Sequence, residues 1–170
     1  PLRFDRLSWE DAFDLYGSDK PDLRFDLKMR DAAFMAELSD FNAFKAGAAN
    51  AGRDIERHKR SAIKALVVKN VADKYSRKMI EALEAVAKTY KAKGLAWMKV
   101  DGEGAFEGGI SKFYAGKEKE ICEKLGAEKN DLLLFVSDER WQTACVALGA
   151  VRKQLGKELD LYTMSPLVGI

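Results

Sequence analysis

Apolar residues recur at helical spacing in three long stretches of the chain. Trp9, Ala12, Phe13 and Tyr16 share one face of a first predicted helix, with Ser8 at its N-cap and Asp11 three residues on, close to a capping box. Gly17 fits the position just past the last turn, where glycine enters the left-handed region at little cost. Ser18-Asp19-Lys20-Pro21 then turns, because Pro21 cannot continue a helix and restricts Lys20. Ser76 caps the clearest helix, on which Met79, Ile80, Leu83, Val86, Ala87 and Tyr90 recur, and Gly94 is expected to stop it. A last helix opening at Glu139 or Arg140 and running to about Gly156 carries Trp141, Ala144, Cys145, Leu148, Val151 and Leu155 on one stripe. Lys117–Leu125 reads as a shorter helix stopped by Gly126.

Between these helices the pattern is that of strands. Ser61–Val68, Leu95–Val100, Ile110–Tyr114 and Leu132–Val136 are the candidates, and the unbroken LLLFV run of the last marks a fully buried central strand. Asp101–Gly109 holds Gly102, Gly104, Gly108 and Gly109 and reads as a turn between two of them. Residues 26–45 are ambiguous: Leu27 and Met29 alternate like a short strand, while Phe34, Met35, Leu38, Phe41 and Phe44 fit two short helical turns. Residues 47–60 read as an exposed loop. The order of elements predicts an α+β fold, a largely antiparallel sheet with helices packed on one face.

The chain has 170 residues, 47% of them hydrophobic and 33% charged, which suits one globular domain with a real core. Its 29 basic and 27 acidic side chains leave a net charge of +2, so no global field draws it to nucleic acid or to a membrane. Contact with RNA would need a local patch. Arg53, Arg57, Lys59, Arg60 and Lys64, with His58 among them, form the one local positive cluster, offset by Asp54 and Glu56. Such a group suits a few salt-sensitive phosphate contacts or a plain solvated loop. Cys122 and Cys145 stand in separate helical patterns and are expected to be buried thiols of a reducing, cytoplasmic compartment. The apolar runs fall far short of the roughly 20 residues that span a bilayer. Phe4, Asp5 and Arg6 do not have the order of a signal peptide, and a chain opening at Pro1 reads as a piece of a longer protein.

The chemistry of the residues yields no catalytic, cofactor-binding or metal candidate. There is one histidine, no Cys-x-x-Cys, no Walker sequence and no glycine-rich dinucleotide turn. The glycines of 102–109 lie between two strands, whereas a phosphate cradle needs the aligned N–H groups of a helix start. Glu81, Glu84, Lys78 and Lys88 are spaced as solvated helix-face pairs, as are the charges of 117–124. Trp97 and Trp141 are expected in the core.

Four blocks carry a family resemblance. Arg6-Leu-Ser-Trp-Glu-Asp-Ala-Phe-Asp-Leu-Tyr16 with Gly17-Ser-Asp-Lys-Pro-Asp-Leu-Arg24, then Lys93-Gly-Leu-Ala-Trp-Met-Lys-Val100, Leu125-Gly-Ala-Glu-Lys-Asn-Asp-Leu-Leu133 and Ala147-Leu-Gly-Ala-Val-Arg-Lys-Gln-Leu-Gly-Lys157 follow in the order found in bacterial-type aspartyl-tRNA synthetases. The chain resembles the GAD insertion of those class II enzymes with short catalytic-domain flanks. The resemblance implies a flank at 1–25, the insertion at 26–139, a return helix at 140–160 and a tail at 161–170. It implies a parent that activates aspartate with ATP and Mg, transfers it to tRNA-Asp and forms a homodimer. It also implies a piece that is inactive alone, since the class II motifs that hold ATP and aspartate have no counterpart here. Asp19, Lys20, Asp22 and Arg24 are then expected to tie the insertion to the catalytic body. The alternatives are a stand-alone RNA-binding or adaptor module, or a subunit of a tRNA-dependent amidotransferase. The opening block argues against the latter, because it belongs to the synthetase flank.

Overall fold

A computed structural model describes residues 7–161; the expectations placed on Phe4-Asp5-Arg6 and on residues 162–170 lie outside the described residues. Ten regular elements follow in the order α1 (Trp9–Tyr16), β1 (Arg30–Asp31), α2 (Ala43–Ala48), β2 (Ala62–Val68), α3 (Arg77–Thr89), β3 (Ala96–Val100), β4 (Phe106–Glu107), α4 (Glu118–Leu125), β5 (Leu132–Asp138) and α5 (Trp141–Glu158). The strands form one antiparallel sheet in the order β1-β2-β5-β3-β4. The α+β class and the antiparallel sheet are as expected.

Local signals set several boundaries. The Ser8 side chain accepts the Asp11 N–H, and Gly17 closes α1 at φ 72°. Ser76 caps α3 in the same way, and Gly126 closes α4 at φ 70°. Two boundaries differ from the reading of the sequence. The chain leaves α3 at Lys91, which takes φ 75°, and not at Gly94. The strand expected over 110–114 lies earlier, at β4, and Ser111–Tyr114 is a 3₁₀ turn. The turn between β3 and β4 draws the strand back early, because Asp101 accepts the N–H groups of both Glu103 and Ala105.

Helices cover both faces of the sheet, not one. Strands β2 and β5 are buried along almost their whole length, and their alternate residues point into two separate cores. Ala62, Leu66, Val68, Leu132, Leu134 and Val136 pack with Ile80 and Leu83 of α3 and with Leu148 and Val151 of α5. Ile63, Val67, Leu133 and Phe135 pack on the other side with Phe44 of α2, Ile121 and Leu125 of α4, and Tyr114. A strand apolar on both faces exposes one row of side chains unless both sides are covered. Each fully buried Leu or Phe adds about 1.5–3 kcal/mol.

The segment before β1 and helix α1 are fastened to α5. A Cβ placed on Gly149 would sit 2.7 Å from the Gly17 Cα and 2.8 Å from the Tyr16 carbonyl oxygen, so two glycines let α1 rest directly on α5. Arg152 of α5, only 2% exposed, donates to the carbonyls of Phe25 and Leu27 and lies 4.1 Å from the Phe25 ring and 4.8 Å from that of Tyr16. A buried guanidinium needs acceptors for its fork of donors, and these two carbonyls lie on the segment it fastens.

Candidate functional site

The five basic residues singled out from the sequence do not form one patch. Arg57 and Lys64 turn toward α1. Arg57 Nη1 lies 2.9 Å from Asp11 Oδ1 and its Nε 3.8 Å from Glu10 Oε2. Lys64 is 2% exposed, with Nζ 2.9 Å from Asp14 Oδ1. It stands on the β2 face that packs against α1 and α5, which corrects its place among surface cations: it is out of reach of any ligand in solution. An ammonium withdrawn from water needs a carboxylate partner, and Asp14 supplies it.

Asp14 also accepts a hydrogen bond from the Trp141 indole at 3.0 Å. Burial works against ionisation of its carboxyl, but the Lys64 charge and the hydrogen bonds from Trp141 and Lys64 outweigh it and hold the group below its usual range. The Arg57 hydrogen bond, then that from Ser8, likewise lowers Asp11. Nearby, burial pushes the Cys145 thiol up to about 12, and burial raises Cys122 as well. Neither cysteine has the lowered pKa of a nucleophile.

The remaining cations divide again. Arg53 is exposed on the loop after α2. Lys59 and Arg60 line a groove of about 660 Å³ that also takes in His58, Thr89, Tyr90 and Lys91 from the end of α3 and Glu139, Arg140, Gln142, Thr143 and Val146 from the start of α5. Two strong contributors, Lys91 and Arg140, are absent from the local cluster in the sequence. Arg140 stands alone there and Lys91 lies between Lys88 and Lys93, each at a helix end, and only the fold brings them beside Lys59 and Arg60. Lys91 reaches the groove through its left-handed backbone, a conformation that a non-glycine residue holds at a cost of about 1 kcal/mol. Lys59 Nζ lies 3.3 Å from Glu56, and the Arg60 Nε–H donates to the Ile55 carbonyl at 2.9 Å. His58 stands between Glu10 and Glu56, at 3.3 and 3.1 Å.

Other charged groups named in the sequence have internal roles. Asp131 is buried and accepts from Asn70 N–H at 2.9 Å, Glu128 N–H at 2.7 Å and Lys69 Nζ at 2.9 Å, tying the end of β2 to the turn before β5. Asp22 and Arg24 form a two-bond pair with each other at 2.7 and 2.9 Å. Trp97 is half-buried and closes the glycine turn: a Cβ on Gly109 would fall 1.9 Å from the Trp97 carbonyl oxygen, and one on Gly108 2.7 Å from its ring. Trp97 thus fills the space beside Gly108 and Gly109, whereas Gly102 and Gly104 border open space. Among the described residues no three His, Cys, Asp or Glu side chains are placed to hold a metal ion. No helix of the described residues is long and apolar enough to cross a membrane.

Residues 55–148 match the family model of the GAD domain, which is more than half of the chain. The chain belongs to the GAD domain family. The matched region takes in β2 through the first turns of α5, and with it both walls of the groove. The GAD domain and its flanks are also similar to curated proteins over nearly their full length. They are 59% identical over 162 residues to the aspartate–tRNA(Asp/Asn) ligase of Treponema denticola, covering 95% of this chain and 26% of that protein. They are 46% identical over 165 residues to the aspartate–tRNA ligase of Bacillus licheniformis, covering 96% and 26%. The corresponding figures for the Treponema pallidum aspartate–tRNA(Asp/Asn) ligase are 45% over 155 residues, 91% and 24%. The resemblance read from the four blocks is thus borne out, and the chain spans about a quarter of the length of the curated relatives it matches.

Proposed function

We propose that this chain is the GAD-bearing part of a cytoplasmic aspartate–tRNA ligase and contributes no catalytic group of its own. The ligase would activate aspartate with ATP and Mg and pass it to tRNA, with those cofactors held elsewhere in the longer protein. The observation that carries the reading is the extent of the 59% identity. It reaches across 162 residues and so includes α1 and the following segment, which lie before the GAD match. A borrowed, free-standing module would need the matched domain but not that segment. The fastening of α1 to the matched domain through Asp14, which meets Lys64 and Trp141, supports the same reading, because it makes flank and domain one packed body. The role of the piece in that enzyme is then structural, to present its outer surfaces in a fixed relation to the flank.

Two measurements test this. The isolated chain should give no aspartate-dependent exchange of pyrophosphate into ATP. The Treponema denticola ligase with its matching segment replaced by this chain should charge tRNA within about tenfold of the parent rate, a loss of under 1.4 kcal/mol in the transition state. Exchange activity in the isolated chain, or a folded chimera that charges no tRNA, overturns the proposal.

A further inference from the structure

The groove between the end of α3 and the start of α5 carries two cations, Lys91 and Arg140, beside two, Lys59 and Arg60, that already have partners in the protein. Its walls carry Lys59, Arg60, Lys91 and Arg140, with His58 at one end. The carboxylates at hand are Glu56, which is bridged to Lys59, Glu10, whose Oε1 lies 3.3 Å from His58, and Glu139, whose Oε1 lies 3.2 Å from Lys93. Among the described residues no carboxylate lies within ion-pair distance of Lys91 or Arg140. Tyr90 stands beside them with 49% of its surface exposed. The start of α5 borders the same space, with the Trp141 N–H donated to the Arg60 carbonyl at 2.8 Å and the Arg140 N–H to Asp138 Oδ1 at 2.8 Å.

We propose that this groove binds RNA, with Lys59, Arg60, Lys91 and Arg140 on successive phosphates and a base of an unpaired stretch against the Tyr90 ring. The inference rests on the ligase reading for its choice of RNA over other polyanions. Cations spread over two walls suit a strand of phosphates better than one small anion, and an exposed aromatic between them offers the stacking face that unpaired bases take. The other basic cavity, lined by Lys28, Arg30, Lys69 and Lys74, also contains Asp26, and its Lys69 is already engaged with Asp131 and Glu128.

The test uses the whole 170-residue chain and a fluorescein-labelled transcript of tRNA-Asp. About four phosphate contacts predict that affinity falls about 50- to 150-fold between about 50 and about 200 mM salt. The pair Lys91→Gln/Arg140→Gln should weaken binding about tenfold and lower the slope of log affinity against log salt by about 1.4–1.8. An equal loss of charge on α4 and the residue before it, Lys117→Gln/Lys119→Gln, should leave both within about twofold, and so should the charge-keeping pair Lys91→Arg/Arg140→Lys. Tyr90→Ala should weaken binding of a single-stranded 12-mer, and Tyr90→Phe should not. Absence of salt-sensitive binding overturns the proposal. So does an equal effect of the groove pair and the α4 pair, or loss of binding in the charge-keeping pair. The ligase reading is scored separately by the chimera: a chimera that fails to charge tRNA while the chain binds RNA through Lys91 and Arg140 overturns that reading and leaves the groove standing.

Discussion

Arg57 and Lys64 spend their charge inside the molecule; Lys91 and Arg140 hold theirs out toward solvent. The first two lie in the most basic stretch of the sequence, and each is met by a carboxylate of α1. The other two lie at helix ends outside that stretch, yet they form the open groove with Lys59 and Arg60. Positive charge available for a partner therefore depends on how the fold pairs and places each cation, and not on density along the chain alone. The basic stretch divides because one of its edges faces the acidic side of α1 and the other faces the junction of α3 with α5.

The sharpest way to break this comparison is at Asp14. Asp14→Ala leaves the Lys64 ammonium buried without its counter-charge and is expected to cost about 3–5 kcal/mol, read from urea unfolding. Adding Lys64→Met to the same variant should recover most of that loss, because an apolar side chain of similar length suits the site. A loss under about 1 kcal/mol for Asp14→Ala would place the pair with ordinary surface bridges and undo the contrast drawn above.

Lifting α1 from its seat is the next largest effect. Gly149→Ala pushes a methyl group against the Tyr16 carbonyl and the Gly17 backbone and should cost about 1–3 kcal/mol, measured as a fall in melting temperature. RNA affinity at a temperature where the variant is folded should stay within about twofold, since Gly149 faces α1 and lies on α5 beyond the groove-lining residues that end at Val146.

Acid should weaken the internal side of the comparison first. The folded-state pKa of Asp14 lies below its unfolded value, so its contribution is fully present above the unfolded value near 3.9 and is lost as pH falls through the lowered folded value. Stability followed from pH 6 to pH 2 should drop at the acid end, and Asp14→Asn should flatten that drop. An unchanged acid slope in Asp14→Asn would assign it to other carboxylates.

The smallest expected effect separates the two kinds of cation directly. Arg57→Gln removes a charge already neutralised by Glu10 and Asp11 and should change RNA affinity by less than about twofold, whereas Arg140→Gln should cost about threefold or more at low salt. Equal losses would show that the groove does not discriminate.

Much of this architecture was legible in the chain. Ser8, Gly17, Ser76 and Gly126 mark helix ends through interactions reaching only a few residues, and these hold in the structure. The LLLFV run required cover on both faces of its strand, although the reading of the whole sheet placed helices on one. That mismatch arises because Phe44, Ile121 and Leu125, which cover the second face, sit on short helices whose partner surface is not visible in their own spacing.

By itself, then, the sequence determined the helix caps, the buried central strand, the family and the absence of a familiar catalytic motif, because these depend on residue type and near spacing. The tertiary structure alone decided that Lys64 is buried against Asp14, that Arg152 fastens the flank to α5, and that Lys91 and Arg140 meet Lys59 and Arg60 in one groove. Each of these joins residues tens of positions apart, and electrostatic partnership depends on distance and dielectric in space, which no local pattern along the chain encodes.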